Sequence, residues 1–179
     1  MLEKYRHKPF RPRARLVMTT PVHVLAFGGG AGLSPWVPGT FGTVVGVAVW
    51  WGLSMLPATA YLVAVGVLFG IGCWLCGRSA QLLGVHDHPG IVFDEVVGYL
   101  ISAAPLVFAT PARPGPLWAW LLAAFLLFRV FDILKPPPIS WFDRNVKGGF
   151  GIMLDDALAA LPVAALLYAA ERFMPLVSG

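Results

Sequence analysis

Acidic residues occur in this sequence as short clusters at the edges of long apolar stretches. The clusters are Asp94-Glu95, Asp132 (three residues after Arg129) and Asp155-Asp156. Carboxylates without matched countercharge repel one another strongly inside a low-dielectric bundle, and a divalent cation resolves that repulsion. Oxygen ligands favour Mg²⁺ or Mn²⁺ over zinc. The clusters therefore predict a hard-cation site, provided that the fold brings them together.

Two of the acidic pairs lie in similar sequence contexts. The pattern Gly-Ile-apolar-apolar-acid-acid-apolar-apolar is found at residues 90–97 and again at residues 151–158. We interpret the two segments as equivalent helix starts that face each other across a metal. Because adjacent helical residues lie about 100° apart, we expect only one acid of each pair to point into the shared site. The alternative is that acids in a first helical turn simply complement the helix dipole.

A histidine-containing loop, His86-Asp87-His88, precedes the first acidic pair. Two histidines at this spacing are able to bind a transition metal, but the neighbouring groups are mostly carboxylates. We interpret the histidines as groups that order the loop, and Asp87 as a weaker candidate ligand.

Basic residues accompany the acids. Arg129, Asp132 and Lys135 step by three along one predicted helix and share a face; the alternative is a self-neutralising ion pair at a helix end. A glycine-rich segment at residues 28–43 precedes another helix, where backbone N–H groups and the Thr40 or Thr43 hydroxyl would suit a phosphate. The alternative there is a tight turn with a helix cap. No Lys follows the last glycines, so this is not a nucleotide P-loop.

The composition places these clusters in a membrane. The chain has 179 residues, 58% hydrophobic and 12% charged, whereas soluble proteins carry roughly 25% charged residues. This balance excludes a disordered chain, a disulfide scaffold and a nucleic-acid-binding domain. The apolar stretches cover residues 41–56, 60–76, 96–109, 116–128 and 157–170. They predict an all-α, polytopic membrane helical bundle with about five membrane-embedded helices.

The distribution of basic residues predicts the orientation. Six of the 13 Lys and Arg residues lie in the first fifteen positions, and the positive-inside rule places such a segment in the cytoplasm. We therefore predict a basic cytoplasmic arm at residues 1–20 and a single membrane domain at residues 21–179. Alternating helices bring all the acidic clusters to the cytoplasmic side. Carboxylates, a cation and bases just below that interface are typical of phosphoryl transfer on a lipid headgroup.

Four segments carry a resemblance to a known family. They are Gly-Leu-Ser-Pro-Trp-Val-Pro-Gly-Thr-Phe-Gly at residues 32–42, His-Asp-His-Pro-Gly-Ile-Val-Phe-Asp-Glu at 86–95, and residues 128–136 and 138–156. With them the chain resembles the phosphatidylglycerophosphatase A family, bacterial membrane phosphatases. The resemblance implies removal of the terminal phosphate of phosphatidylglycerophosphate to give phosphatidylglycerol, in glycerophospholipid biosynthesis. It also implies Mg²⁺ dependence and a place in the bacterial cytoplasmic (inner) membrane. Thr43, Pro137 and Lys147 depart from the family pattern.

We assign the residues as a hypothesis. The predicted metal ligands, which are also catalytic, are Asp94, Glu95, Asp132, Asp155 and Asp156. The predicted phosphate-binding residues are Arg129, Lys135, Arg144 and Thr40. Asp143 would orient a water or protonate the leaving glycerol oxygen. In-line attack by a metal-activated water is the preferred mechanism, and an aspartyl-phosphate intermediate is the alternative. Another lipid phosphatase, a headgroup transferase or a divalent-cation transporter remain alternative functions, and the sequence makes no prediction of the oligomeric state.

Overall fold

The computed structural model describes residues 12–108 and 114–177, and all regular structure in these residues is helical. The predicted all-α class is therefore confirmed. The helices are α1 (Ala14–Thr19), α2 (Pro21–Ala26), α3 (Pro38–Leu53), α4 (Ala58–Leu83), α5 (Phe93–Ser102), α6 (Pro105–Phe108), α7 (Leu117–Leu134), α8 (Ile139–Asn145) and α9 (Gly148–Val177), with a short 3-10 segment at Gly28–Leu33. Most of the predicted basic arm, residues 1–11, lies outside the described residues.

Three of the described helices are long and apolar enough to cross a membrane. They are α4, α7 and the first 26 residues of α9. The other two apolar stretches are also helical but shorter: α3 has 16 residues, and the stretch at 96–109 is divided between α5 and α6. A spanning helix needs about 20 residues. The described residues thus contain three candidate spans, where the sequence predicted about five embedded helices; that number and the cytoplasmic N-terminus stay predictions.

The helix ends follow from local backbone chemistry. Pro38 opens α3 in the first turn, where its missing N–H costs nothing. Gly84 ends α4 in the left-handed conformation, with a φ of 68° that glycine adopts freely. Lys135 ends α7 in the same region, with a φ of 39°. The prolines that follow it cannot continue a helix.

The start of α9 differs from the prediction. The sequence placed Asp155-Asp156 at the head of a helix, but α9 begins at Gly148, so the pair lies in its second and third turns. Acids in a first helical turn complement the helix dipole, which favoured a helix that starts at this pair. Both side chains are instead buried inside the protein, 7% and 3% exposed, so the helix continues through them.

Helix α5 lies at the centre of the bundle and packs against α3, α4, α7 and α9. Small residues permit the close approach: a Cβ on Gly42 of α3 would lie 2.6 Å from the Val92 Cβ. Where α9 crosses α4, a Cβ on Gly149 would lie 1.8 Å from the Cys73 carbonyl oxygen. Glycines at such contacts are typical of helices packed within membranes.

Side-chain donors from neighbouring helices satisfy the backbone at the end of α5. The Tyr61 hydroxyl donates to the Leu100 carbonyl at 2.7 Å, and the Trp50 indole N–H donates to the Ala103 carbonyl at 3.2 Å. The last carbonyls of a helix have no partner within it. These bonds explain how a helix of ten residues can end inside the bundle. The acidic side chains lie at the opposite end of α5, in its first turn.

Candidate active site

Three carboxylates from two helices converge at one end of the bundle. Asp94 and Glu95 lie in the first turn of α5, and Asp156 reaches them from α9. One oxygen of each lies within 4.8 Å of the others. We call these three residues the acidic cluster. Three carboxylate oxygens at this separation would be able to coordinate one cation.

The acidic cluster has unsatisfied oxygen atoms. Asp94 Oδ1, Glu95 Oε2 and Asp156 Oδ2 are buried and have no hydrogen-bond partner in the described part of the chain. A buried carboxylate oxygen without a partner costs free energy, because it has lost its water without replacement. A divalent cation held by these residues would supply the missing partner. The residues therefore fit Mg²⁺ in two respects: their ligand atoms are oxygens, and these buried carboxylates have oxygens that lack a partner.

The electrostatics of the acidic cluster agree with this fit. Burial raises the pKa of Asp94 well above its usual range, and the neighbouring Glu95 carboxylate raises it further. Burial, followed by the charge of Asp156, raises the pKa of Glu95 to about 8. Mutual repulsion in a desolvated site makes ionisation difficult without a cation.

The guanidinium of Arg129 lies beside the acidic cluster. Its Nη1 donates a hydrogen bond to Asp132 Oδ2 at 2.6 Å and lies 3.8 Å from Glu95 Oε1. The Arg129 Nε is buried and has no partner among the described residues. Asp132 also lies beside Asp156, close enough for their carboxyl groups to share a hydrogen bond. Asp132 thus connects Arg129 to the acidic cluster but is not one of its three converging residues.

Lys135, Asp143 and Asp155 form a second group of charged side chains, next to Arg129 and the acidic cluster. The Lys135 Nζ donates to Asp143 Oδ1 at 2.7 Å and makes a short ion pair with Asp155. Burial by itself lowers the pKa of Lys135, but the hydrogen bonds to the two carboxylates outweigh it and raise the pKa above its ordinary value. The hydrogen bond from Lys135 holds the pKa of Asp143 below its usual range. Lys135 therefore stays charged and joins α7, α8 and α9.

The sequence predicted that only one acid of each adjacent pair points into the shared site. This is correct for Asp155-Asp156 and wrong for Asp94-Glu95. Asp156 points into the acidic cluster while Asp155 turns to Lys135, as predicted for adjacent helical residues. Asp94 and Glu95 both reach the cluster. Glu95 has one more methylene than aspartate, so its carboxylate can turn back beside that of Asp94. Segments 90–97 and 151–158 bring acids together, but they are not the equivalent helix starts that the sequence predicted, because residues 151–158 lie inside α9; a metal between them stays a prediction.

The remaining predicted phosphate ligands lie at the edge of the site. Arg144 is exposed, and its Nε donates to the Ser140 carbonyl at 2.8 Å. Thr40 is partly buried in the first turn of α3. The Thr43 hydroxyl is buried and donates to the Gly39 carbonyl at 2.9 Å, which occupies it within its own helix. Phosphate binding by Thr40 and Arg144 stays a prediction.

The histidine loop is ordered by His88. The backbone N–H of Gly90 donates to His88 Nδ1 at 2.9 Å, and the imidazole packs on the Phe27 ring. His86 and Asp87 are exposed. The loop-ordering interpretation agrees with these contacts for His88.

Gly39, at the start of α3, is a site residue that the sequence interpretation missed. A Cβ on Gly39 would lie 2.3 Å from Glu95 Oε1 and 3.0 Å from Arg129 Nη1. Only a residue without a side chain leaves room for both groups. The spacing of Gly39, Gly42 and Gly46 on one helix face was the signal that predicts such close packing.

The site lies within a segment that matches a known family. The family model of phosphatidylglycerophosphatase A matches residues 24–171, which contain every residue of the candidate site. The chain belongs to the phosphatidylglycerophosphatase A family. The resemblance in the sequence motifs is thereby confirmed.

Curated relatives extend the comparison over nearly the whole chain. The chain is 43% identical to the phosphatidylglycerophosphatase A of Escherichia coli strain K12, covering 96% of this chain and 95% of that protein. It is 42% identical to the phosphatidylglycerophosphatase A of Haemophilus influenzae, covering 91% and 96%. It is also 38% identical to a putative phosphatidylinositol-3-phosphatase of Bacteroides thetaiotaomicron, covering 84% and 93%. No solved structure matches the chain.

Proposed function

We propose that this protein is a Mg²⁺-dependent phosphatidylglycerophosphatase, which hydrolyses the terminal phosphomonoester of phosphatidylglycerophosphate to phosphatidylglycerol and inorganic phosphate. The observation that carries the chemistry is the acidic cluster of Asp94, Glu95 and Asp156, with its unpartnered oxygens, beside Arg129 and Lys135. Family membership supports the substrate, since two relatives of similar length bear this activity in their names.

Asp94, Glu95 and Asp156 would hold the cation, and Asp132 would complete the site from α7. When bound, Mg²⁺ neutralises phosphate charge and makes a water molecule more acidic. Asp132 has a second part in this proposal: by accepting from Arg129 Nη1, it holds the guanidinium beside the acidic cluster. Asp155 acts through Lys135, because its ion pair keeps the ammonium at the edge of the site.

The bases bind and orient the terminal phosphate. Arg129 presents a fork of N–H donors that matches two phosphate oxygens at once, and its Nε has no partner in the described structure. Lys135 contributes a second positive charge from the adjacent helix end. Both side chains are mostly buried, so their interactions with a phosphate are screened little by water.

Asp143 is the proposed proton-transferring residue. It is the more exposed of the two carboxylates bound to Lys135, which gives it contact with water. The hydrogen bond from Lys135 keeps it ionised at neutral pH, the form that accepts a proton from the attacking water. It would then return a proton to the leaving glycerol oxygen.

The same geometry supports the proposed membrane placement. The starts of α3 and α5 and the end of α7 meet at one end of the bundle, with the acidic cluster between them. We propose that this end faces the cytoplasm in the bacterial inner membrane, with the basic N-terminal arm on the same side. A divalent-cation transporter instead requires acids near the bilayer midplane, with access from both sides; a cluster at one end favours the phosphatase.

The test is release of inorganic phosphate by the purified protein from phosphatidylglycerophosphate in mixed micelles. We expect release that requires Mg²⁺ and is lost with a chelator. A parallel assay with phosphatidylinositol 3-phosphate decides between the two substrate classes named among the relatives. A labelled polyol acceptor in the reaction detects headgroup transfer. Release without added cation in the presence of chelator, or a strong preference for the inositol lipid, would contradict the proposal.

A further inference from the structure

An apolar groove runs between α7 and α9, away from the charged groups. Its cavity volume is about 540 Å³. The residues that line it include Ala119, Ala123 and Leu127 on α7 and Leu166, Leu167 and Ala170 on α9. The indole N–H of Trp120, also in the lining, donates to the Pro114 carbonyl at 2.8 Å. With that donor satisfied within the protein, the groove offers its occupant an apolar surface.

On α9 the groove lies directly in line with the acidic residues. Leu166 follows Asp155 by eleven residues, and Leu167 follows Asp156 by eleven. Eleven residues make three helical turns, which returns to the same face about 16 Å along the axis. The groove therefore lies on the side of α9 that carries the carboxylates, three turns deeper in the bundle.

On α7 the groove lies closer to the charged end. Leu127 precedes Lys135 by eight residues, or about 12 Å along the axis, with Phe131 midway between them. Lys135 and Asp155 form an ion pair between the same two helices, three turns of α9 away from Leu166. A headgroup phosphate at the acidic cluster and an apolar chain in the groove would therefore lie along one side of α9.

We propose that the α7–α9 groove holds one acyl chain of the lipid whose terminal phosphate lies at the acidic cluster. This inference rests on the proposed function for the identity of the lipid. Because α7 and α9 already pack against each other, the groove is a recess that suits a single flexible chain. The competing occupant is a helix of a second copy, since Ala119 and Ala123 are small residues at helix-packing spacing.

The groove acts on positioning more than on affinity. An acyl chain that moves from the bilayer into an apolar groove exchanges one hydrocarbon environment for another and gains little from the hydrophobic effect. A chain fixed in the groove instead fixes the depth and rotation of the headgroup. The groove thus determines how well a substrate's phosphate is aligned, which is a source of rate enhancement.

The test combines a substitution that fills the groove with substrates whose acyl chains differ in length. Ala123→Leu adds bulk inside the groove, and Ala165→Leu adds the same bulk on an exposed position of α9 outside it. We expect Ala123→Leu to lower kcat/KM about tenfold for long-chain phosphatidylglycerophosphate. For a short-chain analogue it should stay within about twofold, and Ala165→Leu should leave both substrates unchanged. Equal losses on both chain lengths, no loss on either, or a change only in oligomeric state would overturn the proposal.

A binding measurement separates this proposal from the proposed function. A lipid with a phosphomonoester headgroup and a photoreactive acyl chain should label α7 and α9, even in the absence of turnover. Excess unlabelled phosphomonoester lipid should reduce the labelling, whereas diacylglycerol with the same chains should not. Equal competition by both lipids would mean that only bulk membrane lipid enters the groove and would overturn the inference. Labelling as expected, but no phosphate release from the wild-type protein, would refute the proposed function alone.

Discussion

The backbone of Gly39 lies against the carboxylate of Glu95, so closely that a Cβ at that position would be 2.3 Å from Oε1. The start of α3 and the first turn of α5 therefore meet at the acidic cluster with no space between them. Arg129 Nη1 lies on the same side, 3.0 Å from that Cβ position. A single methyl group is enough to disturb both a candidate cation ligand and a candidate phosphate ligand.

Gly39→Ala should reduce phosphate release by about tenfold or more, because the added methyl group displaces the Glu95 carboxylate. Gly52→Ala is the matched control, since Gly52 lies on the same helix and its Cβ would meet nothing within 4 Å. Activity and thermal stability of both variants should be measured in the same detergent. Full activity of Gly39→Ala would mean that the Glu95 position does not matter for the reaction.

Lys135→Met should destabilise the protein by more than about 1 kcal/mol, because it leaves the buried Asp155 carboxylate without its partner. The double variant Lys135→Met with Asp155→Asn should recover part of the lost stability, since it removes the unpaired charge. Neither variant should recover activity, because the positive charge at the phosphate position is gone. Thermal unfolding and phosphate release measure the two effects separately. Recovery of activity in the double variant would contradict the role of Lys135.

The fall of stability with rising pH should be steeper without Mg²⁺ than with it. Burial and the charge of Asp156 raise the pKa of Glu95 to about 8, so between about pH 5 and 8 the folded protein holds a proton that the unfolded chain releases. Without a divalent cation, stability should therefore fall as pH rises through this range. Mg²⁺ takes the place of the proton, so its stabilising effect should grow with pH.

Thermal unfolding at about pH 5.5 and about pH 8.5, with and without Mg²⁺, checks this linkage. The shift in Tm caused by Mg²⁺ should be larger at the higher pH, and Glu95→Gln should reduce the difference. An equal Mg²⁺ shift at both pH values would show that the cation does not displace protons from the acidic cluster.

Much of the fold could be predicted from the sequence. Apolar periodicity and the positions of Pro and Gly predict where α3, α4 and α7 begin or end, because these signals act within a few residues. The start of α9 could not be predicted in this way. Whether Asp155 and Asp156 face lipid or protein depends on Lys135, Glu95 and Asp94, which are distant in sequence.

The candidate site shows the same division. Residue type and the family resemblance are enough to identify Asp94, Glu95 and Asp156 as candidate ligands, because hard cations require oxygen ligands. The pairing of Asp155 with Lys135 depends on where α7 ends and on the left-handed conformation of Lys135, which follows its last residue. The part played by Gly39 depends on how closely two helices approach, which spacing suggests but does not determine.

Binding of Mg²⁺ and release of phosphate, measured on the same preparations of wild-type protein and Asp156→Asn, test the central claim most directly. Glu171→Gln, an equal loss of charge at the other end of α9, is the control. We predict that Asp156→Asn remains in the membrane fraction but loses both the Mg²⁺-dependent rise in Tm and at least about 99% of the phosphate release, a hundredfold loss. Glu171→Gln should keep both. Asp156→Asn with unchanged Mg²⁺ binding and full activity would contradict the account.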